Sequence, residues 1–172
     1  MTDRMAPLYV TLDDAEIRLA TETGRARRIT CEARNAKDET GFNEHHPDHE
    51  LANIQGVWGE IAFCKVMGFS YQQLDGTMCL PDARWYIQIR CAPCRAPKPP
   101  IGFGRLIHRV IDDPRDRFTL VVGNPPYFVL LGWIDGHLMR QEKWLRYEAG
   151  RPPAWFVPNE VLNKNMDELL RR

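Results

Sequence analysis

The sequence predicts an α/β fold in one domain, a central mixed β-sheet of about five strands flanked by helices. Three observations predict it. Helical periodicity fills the first third of the chain, short alternating or wholly apolar runs begin at Tyr71, and a helical pattern returns near the end. The chain of 172 residues is long enough for one buried core. Its 44% hydrophobic and 27% charged content argues against global disorder. The expected organisation is a single domain over 1–172, with an N-terminal helix and loop in 1–50, a core in 53–158 and a C-terminal helix in 159–172.

Each element has its own signal. Thr11-Leu-Asp-Asp14 reads as a capping-box-like start, followed by a helix over 12–34 with Leu12, Ala15, Leu19 and Ala26 on one face. Its arginines read as a solvated exterior. Residues 38–50 are polar, contain Gly41 and Pro47, and predict a loop. The His45-His46-Pro-Asp-His49 cluster there has no metal-ligand spacing and reads as surface histidines. Asn53 is expected to cap a second helix over 54–67, closed by Gly68. Ile54, Val57, Trp58, Ile61 and Ala62 form its core-facing stripe, with Glu60 at the margin.

Strands are expected at 78–80, 85–91, 106–111, 118–122 and 127–134, with a turn at 81–84. In the second of these, Trp85, Ile87, Ile89 and Cys91 share one face, and Tyr86, Gln88 and Arg90 the other. The connection over 93–104 contains Pro93, Pro97, Pro99 and Pro100, whose missing amides exclude regular structure. The run over 118–122 is almost wholly apolar and predicts a central strand. A helix over about 139–148, an extended 154–158 and a short helix carrying Leu162, Met166 and Leu169 complete the chain.

Bulk properties exclude several classes. No apolar run approaches the roughly 18–20 residues of a membrane span, and the first residues lack the apolar stretch of a secretory signal. The expectation is therefore a cytoplasmic protein with no membrane partner. Five cysteines in such a compartment predict free thiols rather than disulfides. Cys91-Ala-Pro-Cys94 lacks the second pair that a structural zinc site requires.

Glu60, then Pro81-Asp82, then Gln88-Ile-Arg90 are the residues with chemical content. Phosphodiester hydrolysis by a divalent ion needs hard oxygen ligands on one side of a cleft and a cation to steady the phosphorus. Asp82, Glu60, Gln88 and the Ile89 main-chain carbonyl are the expected ligands for Mg²⁺ or Mn²⁺, and Arg90 the expected phosphate stabiliser.

A helical Gly59-Glu60, a Pro81-Asp82 turn and Gln88-Ile-Arg90 on a strand resemble, in order, the motifs of the PD-(D/E)XK (restriction-endonuclease-like) nucleases, in particular small phage-type members. The resemblance spans about 53–158. It implies a restriction-endonuclease-like core and a metal-dependent nuclease. Family members usually carry Glu or Asp where this chain has Gln88, although the superfamily tolerates Gln there, and Lys where it has Arg90. The gap from Asp82 to Gln88 is often longer in the family, which makes Asp75 the fallback for the aspartate role. Glutamine binds a cation less strongly, and arginine does not surrender a proton to serve as a base. The family's non-catalytic descendants bind nucleic acid or a protein partner without cutting, which is the alternative expectation.

Charge distribution points to the same partner. Net charge is zero, so a nucleic acid, DNA foremost, must be held locally. From Ala83 to Ile111 no acid occurs, while Arg84, Arg90, Arg95, Lys98, Arg105 and Arg109 supply positive charge. Homodimerisation is left open. Asn124-Pro-Pro-Tyr127 matches the catalytic tetrapeptide of amino-group DNA methyltransferases. No glycine-rich cofactor loop stands at a strand–helix junction, however, and a turn between strands accounts for it.

Overall fold

A computed structural model describes residues 7–33, 48–71, 87–96, 103–148 and 151–170. In chain order the elements are β1 (Leu8–Thr11), α1 (Asp14–Ala33), α2 (Asp48–Met67), β2 (Ile87–Ala92), β3 (Arg105–Arg109), β4 (Arg117–Asn124), β5 (Tyr127–Asp135), α3 (Gly136–Met139), β6 (Leu145–Arg146), β7 (Ala154–Pro158) and α4 (Met166–Leu169). The strands make two sheets. One is mixed and four-stranded, ordered β1-β5-β4-β2, with β2 parallel to β4 and the other pairs antiparallel. The other is antiparallel and three-stranded, ordered β3-β7-β6. The α/β class and mixed sheet agree with expectation, but the single sheet of about five strands does not.

The division follows from side-chain alternation. On β3, Leu106 and His108 are fully buried, and they pair in register with Val157 and Trp155 of β7. Together those residues close a second core against the main sheet, so β3 finds its hydrogen bonds with β7 instead of joining the main ladder. The main sheet is consequently covered on both faces. Val57 and Ile61 of α2 pack with Ile87, Ile89 and Val121 on one side. Leu106 and Val157 pack with Phe118, Leu120 and Val122 on the other. Burial on both faces explains the near-continuous apolar run of β4, each large side chain contributing about 1.5–3 kcal/mol.

Local chemistry sets the helix boundaries. Asp13 caps α1 in a reciprocal box, its carboxylate accepting from the Glu16 amide at 2.9 Å and its own amide donating to the Glu16 carboxylate at 2.8 Å. That places the cap two residues after Thr11. The buried side of α1 also differs from the expected stripe: Ala20, Thr23 and Gly24 are buried, whereas Ala15, Leu19 and Ala26 are exposed. Close helix packing is the reason, since a Cβ on Gly24 would lie 2.6 Å from the Ile54 Cα of α2. Helix α2 begins at Asp48, so Asn53 lies inside it and is not its cap. Its expected stripe is buried or half-buried, and Gly59, Glu60 and Phe63 are buried as well.

No helix spans 139–148. The chain makes α3, a 3₁₀ turn over Glu142–Trp144, and then β6. Met139 and Trp144 both enter the second core, yet on one helix they would point about 140° apart. Breaking the helix lets both reach it. Of the expected loop over 38–50, residues 48–50 belong to α2 instead, and residues 38–47, with His45 and His46, lie outside the described residues, as do the strand at 78–80, the turn at 81–84, and Asp75, Asp82, Arg84 and Lys98. Among the described residues, no helix is long and apolar enough to cross a membrane.

Candidate functional site

Glu60 lies on α2, only 3% exposed. Both carboxylate oxygens accept from Arg27 of α1, at 2.5 and 2.7 Å, and the Tyr71 hydroxyl donates to one of them at 3.2 Å. This buried charge acts on its neighbours. Burial first, and Glu60 second, push the Cys64 thiol up to about 11 and the Cys91 thiol up to about 12. Burial, again reinforced by Glu60, raises the Tyr71 phenol.

Gln88 and Arg90 occupy the other side of the sheet. Alternation along β2 turns Ile87, Ile89 and Cys91 toward α2, where a Cβ on Gly59 would meet the Cys91 Cβ at 2.7 Å. Gln88 and Arg90 point away from that helix. The Gln88 amide donates to Asp116 at 3.1 Å, and the Arg90 guanidinium donates to Asp112 at 2.8 Å. Arg90 also lies over the Phe118 ring, 5.6 Å from its centroid. Asp112 accepts from the Arg109 amide at 2.7 Å, and burial raises the Asp116 carboxyl above the usual carboxylate range.

The expected shared pocket is therefore not formed by these three residues. Glu60 is separated from Gln88 and Arg90 by the thickness of the sheet, because residues two apart on a strand share a face and α2 covers the opposite one. Nor does the described part of the donor set fit Mg²⁺ or Mn²⁺. The oxygens of Glu60 are engaged by Arg27, and Gln88 offers only a neutral amide. Among the described residues, no group of three or more His, Cys, Asp or Glu is placed to hold a metal. Asp82 and its fallback Asp75 lie outside them.

Cys91 and Cys94 straddle the sheet, Cys91 against α2 and Cys94 in the second core. Both are free thiols. Asn124 and Tyr127 face each other across the tip of the β4–β5 hairpin, so the methyltransferase-like tetrapeptide forms the turn expected of it.

The expected basic segment is more informative. Arg95 and Arg105 are exposed and Arg109 is half-buried. Arg105 and Arg109 share one side of β3, opposite the buried Leu106 and His108. They project from the outward face of the three-stranded sheet. Register places Ala154, Phe156 and Pro158 of β7 on that face, with Arg146 of β6 beside Ala154. Strands β3, β6 and β7 contain no acid. Sequence reading missed Phe156 and Arg146, although the alternation over 154–158 already separates Trp155 and Val157 from Phe156. It also missed Arg27, Asp112 and Asp116, which bind the predicted site residues from distant segments.

No protein-family model, curated protein or solved structure matches this chain.

Proposed function

We infer that this chain is a nucleic-acid-binding module on a restriction-endonuclease-like scaffold, one that does not use Glu60 and Gln88 as a metal site. One observation carries the reading: Arg105 and Arg109 stand on a common outward strand face with no acid on any strand of that sheet. Such a surface attracts phosphates locally even at zero net charge. The absence of hydrolysis is supported by the Gln88 and Arg90 departures and by the Arg27 clamp on Glu60.

The metal-dependent nuclease is the competing proposal, and it requires Asp82 or Asp75 to bring Mg²⁺ or Mn²⁺ to a site without Glu60. Fluorescence anisotropy with labelled DNA and RNA in EDTA, across a salt series, tests binding. Gel assays with Mn²⁺ test cleavage. The expected result is binding without metal, weakening with salt by a log–log slope of roughly 0.7–0.9 per phosphate contact, and no cutting. Absence of binding to any nucleic acid overturns the reading. Mn²⁺-dependent cutting that disappears in Asp82→Ala replaces it with the nuclease.

A further inference from the structure

The outward face of the three-stranded sheet combines cations with an aromatic ring. Ile107 lies between Arg105 and Arg109 on β3, and its partner across the ladder is Phe156. Neither Ile107 nor Phe156 belongs to either hydrophobic core. Both are half-buried, so part of each apolar side chain meets solvent. Arg105 is exposed at one end of this apolar pair. Arg109 stands at the other, about 13 Å away along the strand. Arg146, exposed and opposite Ala154, extends the positive rim across the sheet. Among the described residues, the Arg146 guanidinium donates to the main-chain carbonyls of Lys143 and Leu145 and to no carboxylate.

We propose that this face is a platform for single-stranded nucleic acid, on which Phe156 stacks beneath a base while Arg105, Arg109 and Arg146 contact the flanking phosphates. The proposal rests on the nucleic-acid-binding reading above and adds strandedness, the aromatic contact and the third arginine. An aromatic ring on a flat sheet offers a surface to an unpaired base, whose face is open. Bases inside a duplex are stacked on each other, so their faces are closed to such a surface. A second copy of the chain is disfavoured as occupant, since a two-fold contact would bring like arginines together.

Anisotropy on the full chain in EDTA, at low salt, separates the outcomes. The probes are labelled oligo(dT), oligo(U) and a DNA duplex, with unlabelled poly-glutamate as competitor. Phe156→Leu is expected to weaken single-strand binding on the order of ten-fold and to leave duplex binding unchanged. Phe156→Trp is expected to retain affinity and to show quenching of its added indole fluorescence on binding. Arg146→Ala, at an exposed site, is expected to lower the single-strand salt slope by about 0.7. Binding of single strands unaffected by both Phe156→Leu and Arg146→Ala overturns the platform while leaving nucleic-acid binding intact. Failure of every nucleic acid to bind removes the underlying reading as well. Displacement by poly-glutamate in preference to oligo(dT) overturns the platform in favour of an acidic protein partner.

Discussion

Arg27 and Glu60, 33 residues apart in sequence, meet as a two-point ion pair between α1 and α2, with the Tyr71 hydroxyl closing the remaining approach. Their side chains are 15% and 5% exposed, so the pair is largely out of water and each partner depends on the other. The residue that resembles a nuclease glutamate is thus a tie between two helices.

That tie predicts a large asymmetry. Glu60→Ala leaves a buried guanidinium without its counter-charge and is expected to cost about 3–5 kcal/mol. The double variant Arg27→Met, Glu60→Leu, which removes both charges, is expected to recover most of the loss. Urea denaturation of the three proteins decides it, and a double variant as unstable as Glu60→Ala contradicts the account.

Helix packing gives a second prediction. A Cβ on Gly24 would press on the Ile54 backbone, whereas one on Gly56 would meet nothing within 4 Å. Gly24→Ala is expected to destabilise by about 1–3 kcal/mol. Gly56→Ala is expected to stabilise by about 0.5–1 kcal/mol through the lower entropy of the unfolded chain. Thermal unfolding of both single variants reads the opposite signs.

His108 makes stability depend on pH. Its ring is buried between Phe118 and Trp155, with centroids 4.8 and 5.6 Å away, and among the described residues neither nitrogen has a hydrogen-bond partner. Burial holds the imidazole below its ordinary 6.5, with Arg140 and Arg90 acting in the same direction and Asp112 opposing them. Below pH 6.5 the unfolded chain therefore binds more protons than the folded one, and stability falls as the pH falls. The expected slope from this residue is at most about 1.4 kcal/mol per pH unit. His108→Leu should flatten the wild-type decline between neutral pH and pH 5; parallel denaturation profiles for the two proteins would remove His108 as its source.

Thiol chemistry supplies a fourth test. With Cys64 pushed up to about 11 and Cys91 up to about 12, the thiolate is scarce near neutral pH. Alkylation at pH 8, followed by peptide mass mapping, is expected to leave both unmodified in the native protein and to label both in urea. Rapid native labelling of Cys91 would mean that α2 does not cover β2 as described.

Much of the secondary structure was legible in the sequence because it rests on neighbours along the chain. The period of α2, the alternation of Ile87 to Cys91, the apolar run of β4 and the turn at Pro125-Pro126 all depend on spacing alone. The helix expected over 139–148 was not legible, since propensity there is overruled by two side chains that must reach one core. The buried side of α1 was misread for a similar reason: Gly24 is buried because Ile54 arrives against it, and nothing in the local pattern announces that.

The candidate site divides along the same line. Sequence by itself determined which residues carry charge and which strand face Gln88 and Arg90 take, because alternation is a property of the backbone. Only the tertiary structure decided what lies opposite those faces. It put Arg27 on Glu60, Asp112 on Arg90 and Asp116 on Gln88, and it set Phe156 beside Ile107 between the arginines of the second sheet. Contacts between segments tens of residues apart follow from how the sheets and helices pack, and that packing is settled by the whole core at once.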